Sequence, residues 1–379
     1  QTVFATTESA PTISKRMMVC GIVKSQNMTL SANKMSTESK FKHLRQLRQQ
    51  EFSASRYKKM PFSFEGKDRN VYSNANLSLF VNESCNANCT FCIDQLRFEN
   101  KGKTFTKGRI TSDRDYFYRL EQVLDYVRPL NTSISITGGE PTKSPRLARI
   151  LKLVEKYDFR KRVITTNGSG LLDIQDGKRI IDHLVDCGFH HLNISKTHYD
   201  EALNDRFMQF ENSYFSNEKM AQVVAIAMAG NLRPRLSCLL LKEGIHDIHG
   251  IVDYLDYYAS LGVDNIIFRE TMDYDEVIMR NYPKLEFLKR NKVYLNDIWE
   301  EIDHDSRFTP ITQVLGYYYY VEVYHYAGVD MVTESANLTS IDEQKEKARD
   351  MVFEMIFHPN GNLNGSWVDD EDILLPYQP

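Results

Sequence analysis

The sequence predicts an α/β protein: a partial (β/α)6 barrel of parallel strands with an N-terminal extension and a β-rich C-terminal extension. Three observations carry that expectation. From residue 76 onward short apolar runs alternate with amphipathic segments, giving six βα-type units in about 200 residues, the pattern of a parallel sheet covered by helices. The chain has 379 residues, 42% of them apolar, enough to bury a large core. Beyond residue 300 the alternation gives way to paired strand-like runs.

Residues 1–75 read as an N-terminal extension, rich in Ser, Thr, Lys and Gln and without sustained periodicity. A basic stretch runs through Lys40, Lys42, Arg45, Arg48, Arg56, Lys58 and Lys59. It reads first as a solvated helix face or packing arm, and second as a surface for an anionic substrate. Residues 76–300 read as the barrel. Its strands are expected at Leu77–Val81, Ser133–Thr137, Arg162–Thr166, His191–Ser195, Arg235–Leu241 and Asn265–Arg269. Helices are expected at Asp113–Val127, with Ser112 as N-cap, and at Pro145–Tyr157, Arg179–Cys187, Met220–Ala229 and Ile248–Leu261. Residues 301–379 read as the β-rich extension. Two strands flank an Ala-Gly turn at Tyr317–Tyr326 and Asp330–Glu334, and a second pair, Val352–His358 and Leu363–Trp367, flanks Asn360-Gly361.

A formal net charge of −4 argues against wholesale electrostatic binding of nucleic acid. No run approaches the roughly 18 apolar residues of a membrane span, and the first 20 residues lack the apolar core of a signal peptide. Six cysteines are too sparse for a disulfide scaffold. A reducing cytoplasm is the expected location.

Chemistry concentrates in Cys85-Asn86-Ala87-Asn88-Cys89-Thr90-Phe91-Cys92. Three thiolates at this spacing can hold three corners of a [4Fe–4S] cube and leave the fourth iron open to a small molecule. Structural clusters and structural zinc normally take four protein ligands. On spacing alone a zinc site with a distant fourth ligand, inert core cysteines and disulfides stay open. Functional groups of a parallel barrel gather at the C-terminal strand ends. There the sequence places Gly138-Gly139-Glu140-Pro141, Thr165-Thr166-Asn167-Gly168 and Ser195. The glycines allow close backbone approach to a ligand, and Glu140 can accept from an ammonium.

The cysteine motif, followed one unit later by the GGEP and then by the TTNG, resembles the signature of radical S-adenosylmethionine (radical SAM) enzymes. The stretch Arg235–Glu270 further resembles the GTP cyclase of molybdenum-cofactor biosynthesis and its relatives. The resemblance covers about residues 75–275. It departs from that cyclase in one respect: residues 275–379 contain no cysteine for a C-terminal auxiliary cluster. It implies a [4Fe–4S] cluster on Cys85, Cys89 and Cys92. It implies S-adenosylmethionine held by Phe91, Gly138, Gly139, Glu140, Asn167, Ser195 and Arg206, with the last pairing to the methionine carboxylate. It also implies reductive cleavage to a 5′-deoxyadenosyl radical that takes hydrogen from substrate, and an electron donor such as flavodoxin or ferredoxin. The expected substrate is a small molecule, a nucleotide or amino-acid derivative. A peptide substrate is the runner-up, and a non-enzymatic zinc-stabilised binding protein is the alternative from another class. Candidate substrate-side residues are Cys238 as a hydrogen donor if it faces the barrel, Arg269 as an anion-binding group, and His198 near the mouth. The tyrosines Tyr317–Tyr320 are a candidate stacking wall.

Overall fold

The computed structural model of the chain describes residues 41–42, 44–45, 58–96, 108–211, 214–276, 279–337 and 339–378. All of them lie in one compact unit, residues 37–379. Cys20, Lys40, Arg48 and Arg56 lie outside the described residues. Strands β1 (Lys59–Phe64) and β2 (Lys67–Tyr72) form a hairpin inside the stretch read as an aperiodic extension. Its turn is Glu65-Gly66, with φ of 48° and 82°, the left-handed pair that a two-residue hairpin needs. The sequence signal is weak because Glu-Gly is not one of the usual turn pairs and charged residues interrupt the alternation.

The barrel follows as β3 (Asn76–Phe80), α1 (Asp113–Val127), β4 (Ser133–Thr137), α2 (Leu147–Glu155), β5 (Lys161–Thr166) and α3 (Ile180–Asp186). It continues with β6 (His191–Ser195), α4 (Glu201–Met208), α5 (Asn217–Ala229), β7 (Arg233–Leu239), α6 (Ile248–Ser260) and β8 (Asn265–Arg269). Ser112 Oγ accepts from Asp115 N at 3.3 Å, capping α1 as expected. That helix buries Tyr116, Leu120, Val123, Leu124 and Val127 at helical spacing against the sheet. Helices α7 (Tyr282–Asn291) and α8 (Leu295–Asp303) come next. After them run β9 (Thr309–Leu315), β10 (Tyr319–Tyr326), β11 (Val329–Ala336), α9 (Thr339–Lys347), β12 (Met351–Val352), β13 (Met355–Phe357), β14 (Leu363–Asn364) and β15 (Ile373–Leu375).

The main sheet has the order β9-β10-β11-β8-β7-β6-β5-β4-β3-β13-β14-β15. Eight consecutive strands, β11 through β13 in that order, are mutually parallel. The β-rich C-terminal part therefore adds a parallel strand to each edge of the six-stranded barrel sheet, with antiparallel strands beyond. Strand β12 joins the N-terminal hairpin through β2.

Period-two alternation gives the sheet an apolar outer face and a mixed inner one, where Phe80, Val163, Leu239, Ile267, Val332 and Ile356 share the phase with polar side chains. Ile134, Ile136, Ile164, Leu192, Ile194, Leu236, Ile266 and Phe268 are buried in the helix-facing core. In the opposite phase stand Ser135, Thr137, Thr165, Asn193, Ser195, Ser237, Arg269 and Glu334, each only partly buried or exposed. At the strand starts the inner face is basic. Burial, then Lys161, Arg235 and Arg233, pull His191 down to about 3.

On the outside, Arg45 joins the N-terminal part to the barrel. Its guanidinium donates to Asp303 at 2.7 and 3.0 Å, to Glu322 at 2.6 and 2.9 Å and to Tyr324 OH at 2.9 Å. It also lies 5.1 Å from the Trp299 ring. Burial opposes its charge, but the hydrogen bonds to Glu322 and Asp303 more than offset that and hold it protonated. The basic stretch thus contributes a packing residue here. Glu322 is fully buried, so removing its partner strands a charge. Arg45→Ala is expected to lower the unfolding free energy by about 3–5 kcal/mol in urea denaturation, and adding Glu322→Gln should restore part of the loss.

Candidate active site

The loop leaving β3 and the loop leaving β4 are built against each other. Asn82 O accepts from Gly139 N at 2.6 Å and Ser84 O from Glu140 N at 2.9 Å. Asn82 Nδ2 donates to Glu140 O at 2.9 Å. A Cβ on Gly138, whose φ is +148°, would stand 2.5 Å from Asn82 O, and one on Gly139 would stand 2.4 Å from Ser84 O. The glycine pair therefore admits the backbone that leads to Cys85.

That backbone carries the three thiols, all half-buried. One side is laced to the chain leaving α4. Asn88 N donates to Gln209 O at 3.0 Å, Thr90 N to Phe207 O at 2.9 Å, and Glu211 N to Asn86 O at 2.9 Å. The other side meets α7, where the buried Lys284 donates Nζ to Asn88 O at 3.3 Å, Asn88 Oδ1 at 3.1 Å and Cys89 O. Cys92 N donates to Cys89 O at 3.2 Å, turning the third thiol back toward the second. The thiols lie within each other's field. Burial and then the neighbouring Cys92 and Cys85 push Cys89 far up, with Lys284 pulling back. Burial and then Asp94 push Cys92 up to about 12. Such thiols ionise when a cation joins them.

These residues fit an iron–sulfur cube. Among the described residues no three His, Cys, Asp or Glu side chains converge on a single ion. A cube does not ask for that convergence, because each thiolate binds a different iron.

Glu140 holds the next two turns together. Its carboxylate is buried. Oε1 accepts from Thr142 N at 2.9 Å, Thr142 Oγ1 at 2.6 Å and Thr166 Oγ1 at 2.5 Å, and Oε2 accepts from Asn167 N at 2.7 Å. Burial raises its pKa and these donors pull it back. The side chain is thus engaged within the protein, which is a different task from the expected acceptance of a ligand ammonium. Asn167 Nδ2 in turn donates to Asn86 Oδ1 at 3.0 Å and lies 3.9 Å from Cys85 Sγ. The NG turn and the cysteine loop are therefore one hydrogen-bonded unit.

The other expected residues divide. Ser195 stands on the inner face beside Ser237 in register. Arg269 is also in the inner phase, paired with Glu334 at 2.6 Å. Arg206, by contrast, has a side chain 60% exposed and pairs with Glu243 on the surface, because it lies on the outward side of α4. Phe91 packs against the small cluster of Leu96, Met279, Leu285 and Leu288. His198 is buried, and its Nδ1 accepts from Asp200 N at 2.9 Å, closing a local turn. Cys238 does not face the barrel interior. It shares the phase of Leu236, is 0% exposed, and donates to Thr197 O at 3.2 Å. Its neighbours there are Tyr254 and Tyr258 of α6, so the condition for a hydrogen donor is not met. Of the tyrosines, Tyr317 stacks on Phe353 at 4.8 Å, and Tyr320 donates to the buried Glu322; both serve packing.

Asn86, Thr142, Lys196 and Lys284 were not singled out from sequence. Lys196, directly after Ser195, is 1% exposed and donates to Phe215 O at 3.1 Å; burial pulls it down to about 8.

The chain is a parallel α/β barrel with three cysteines on the loop after its first strand. Residues 79–266 match the family model of the Radical SAM superfamily, and this part of the chain belongs to that superfamily. The family's cofactors are a [4Fe–4S] cluster and S-adenosylmethionine. In fold, the chain is similar to SuiB of Streptococcus suis bound to the precursor peptide SuiA (TM-score 0.50, 16% identity, covering 80% of this chain and 64% of that one). It is similar in the same way to a second structure of Streptococcus suis SuiB (TM-score 0.50, 15% identity, 78% and 61%). The chain thus spans less than two thirds of the length of those proteins. The match is to the superfamily as a whole and does not single out the GTP cyclase. No curated protein matches the chain in sequence.

Two substitutions test this construction. Glu140→Gln turns an amide N–H toward at least one of the present donors, and is expected to cost about 2–4 kcal/mol in a denaturation titration. Gly139→Ala forces the cysteine loop off Ser84 O, and its iron uptake during anaerobic reconstitution should fall sharply while far-UV circular dichroism stays near wild type.

Proposed function

We propose that this protein is a radical SAM enzyme acting on a small polar molecule, a nucleotide or amino-acid derivative. The observation that carries the reading is the hydrogen-bonded unit of the three-thiol loop, the glycine pair and the NG turn, beside an inner sheet face that holds Asn193, Ser195, Ser237 and Arg269. Cys85, Cys89 and Cys92 would hold the cluster. The backbone at Gly138-Gly139, Asn167 and Ser195 would hold S-adenosylmethionine, with Glu140 keeping both turns in place. Bound together, the two cofactors supply one-electron cleavage of a carbon–sulfur bond and, from it, a hydrogen-abstracting 5′-deoxyadenosyl radical.

The chain's own residues position the target and keep bulk water from it. Asn193 Oδ1 and Arg269 Nε on the inner face are buried and without a hydrogen-bond partner among the described residues. An acceptor and a donor so placed suit a substrate that carries both an N–H or O–H group and an anionic oxygen. An electron donor such as flavodoxin or ferredoxin is the expected partner. A reducing cytoplasm is the proposed location. Among the described residues no helix is long and apolar enough to cross a membrane.

A peptide substrate is the second reading. One observation favours it: Thr165 is exposed on the inner face of a central strand, so the interior is open, and the similar fold of SuiB was solved with a precursor peptide.

The test is anaerobic. The protein is reconstituted with iron and sulfide, reduced, given S-adenosylmethionine and assayed for 5′-deoxyadenosine by mass spectrometry. Product is expected from the wild type and none from Cys89→Ala. Zinc bound in place of iron in anaerobically purified protein would overturn the reading in favour of a zinc-stabilised binding protein. In equilibrium titrations Ser195→Ala is expected to weaken S-adenosylmethionine binding about three- to tenfold, the worth of roughly one hydrogen bond. Arg206→Ala should leave it within about twofold, as for an exposed ion pair.

A further inference from the structure

We infer that Lys284 is a positioning residue of the cluster loop, and that its ammonium sets how readily the cluster accepts an electron. The inference rests on the cluster assignment above. Lys284 belongs to α7, beyond the part of the chain that matches the family model.

The geometry has three parts. The first is the charge state. Lys284 is 9% exposed, and Nζ faces three oxygens: Asn88 O at 3.3 Å, Asn88 Oδ1 at 3.1 Å and Cys89 O. Three acceptors around Nζ match the three N–H groups of a lysine ammonium. The second is the brace beneath it. Arg280 N and Asn281 N both donate to Leu96 O at 2.9 Å, and Asn281 Oδ1 caps the helix at Lys284 N. Leu285 and Leu288 of the same helix pack with Leu96 and Met279, with Phe91 and Ile93 against them. The helix is thus fixed to the far end of the thiol loop, and if Lys284 swung away the carbonyls of Asn88 and Cys89 would both lose its donor. The third is the position of the charge. It is bonded to the carbonyl of a cluster-binding cysteine, in a partly dry site where charges act strongly.

A four-iron cube on three thiolates is anionic, and more so when reduced. A fixed cation bonded to the loop therefore favours the reduced state. Net charge and the hydrogen bonds around the sulfurs are the protein's means of setting such a potential.

The test is an anaerobic redox titration of the reconstituted full chain, followed by the electron paramagnetic resonance signal of the reduced cluster. Wild type, Lys284→Met and Lys284→Arg are compared. Lys284→Met keeps the length and apolar packing and removes the charge. Its midpoint should fall by roughly 59 mV, a tenfold loss in the one-electron reduction equilibrium. Lys284→Arg keeps the charge and should stay close to wild type. Should the methionine variant load no iron, Lys284→Gln, which keeps a donor without the charge, takes its place with the same two outcomes. A wild-type midpoint in the uncharged variant overturns the inference while leaving the cluster assignment standing. A wild-type chain that takes up no cluster overturns both.

Discussion

Two carbonyl oxygens occupy the space where side chains would begin on Gly138 and Gly139. The rest of the site follows from that contact. With Asn82 and Ser84 seated on the glycines, the chain must leave the sheet in a direction that sends Cys85, Cys89 and Cys92 over the strand ends. Glu140 then transmits the same position to the next turn, because its two oxygens are shared between Thr142, Thr166 and Asn167. Asn86 closes the circuit by bonding Asn167 and Ser169. Three loops that are far apart in sequence are thereby joined by hydrogen bonds of the chain itself. The energetic logic is that of a fully satisfied buried polar network, in which each member fixes the next.

The mixed inner face has a second origin. A barrel sheet normally fills its interior with branched apolar side chains. Here the inner phase mixes apolar residues such as Val163 and Ile267 with Ser, Thr, Asn and Arg, and Thr165 is exposed. Much of the stability comes instead from the outer layer, where the apolar phase meets the helices. The inner phase also holds Asn193 Oδ1 and Arg269 Nε, which have no hydrogen-bond partner among the described residues.

How much of this the sequence showed depends on range. The six barrel strands and the motif-bearing turns were legible because their signals are local: period-two runs, a capping serine, paired glycines, three cysteines within one loop. The side on which Cys238 lies was also readable in principle. It shares the phase of Leu236, and in a sheet with a mixed interior the apolar phase is the outer one. Lys284 was not legible, since it meets Cys89 across 195 residues of chain and an isolated lysine in a helix has no pattern of its own. Arg45 belongs with it, as its partners Asp303 and Glu322 come from two separate later elements. The Glu65-Gly66 hairpin was hidden by a turn pair that carries little statistical weight.

The pairing of β3 with β13 has a consequence for the making of the protein. Leu77, Ser78 and Leu79 are bonded on one side by β4, which is synthesised soon after, and on the other by Met355, Ile356 and Phe357. During translation the strand that leads into the cysteine loop therefore waits with one bare edge until Met355–Phe357 have emerged. Contacts of such long range are slow to form, and an unpaired edge invites association with other chains. Nascent-chain handling, rather than the finished fold, is then the step at which this protein is most exposed to aggregation.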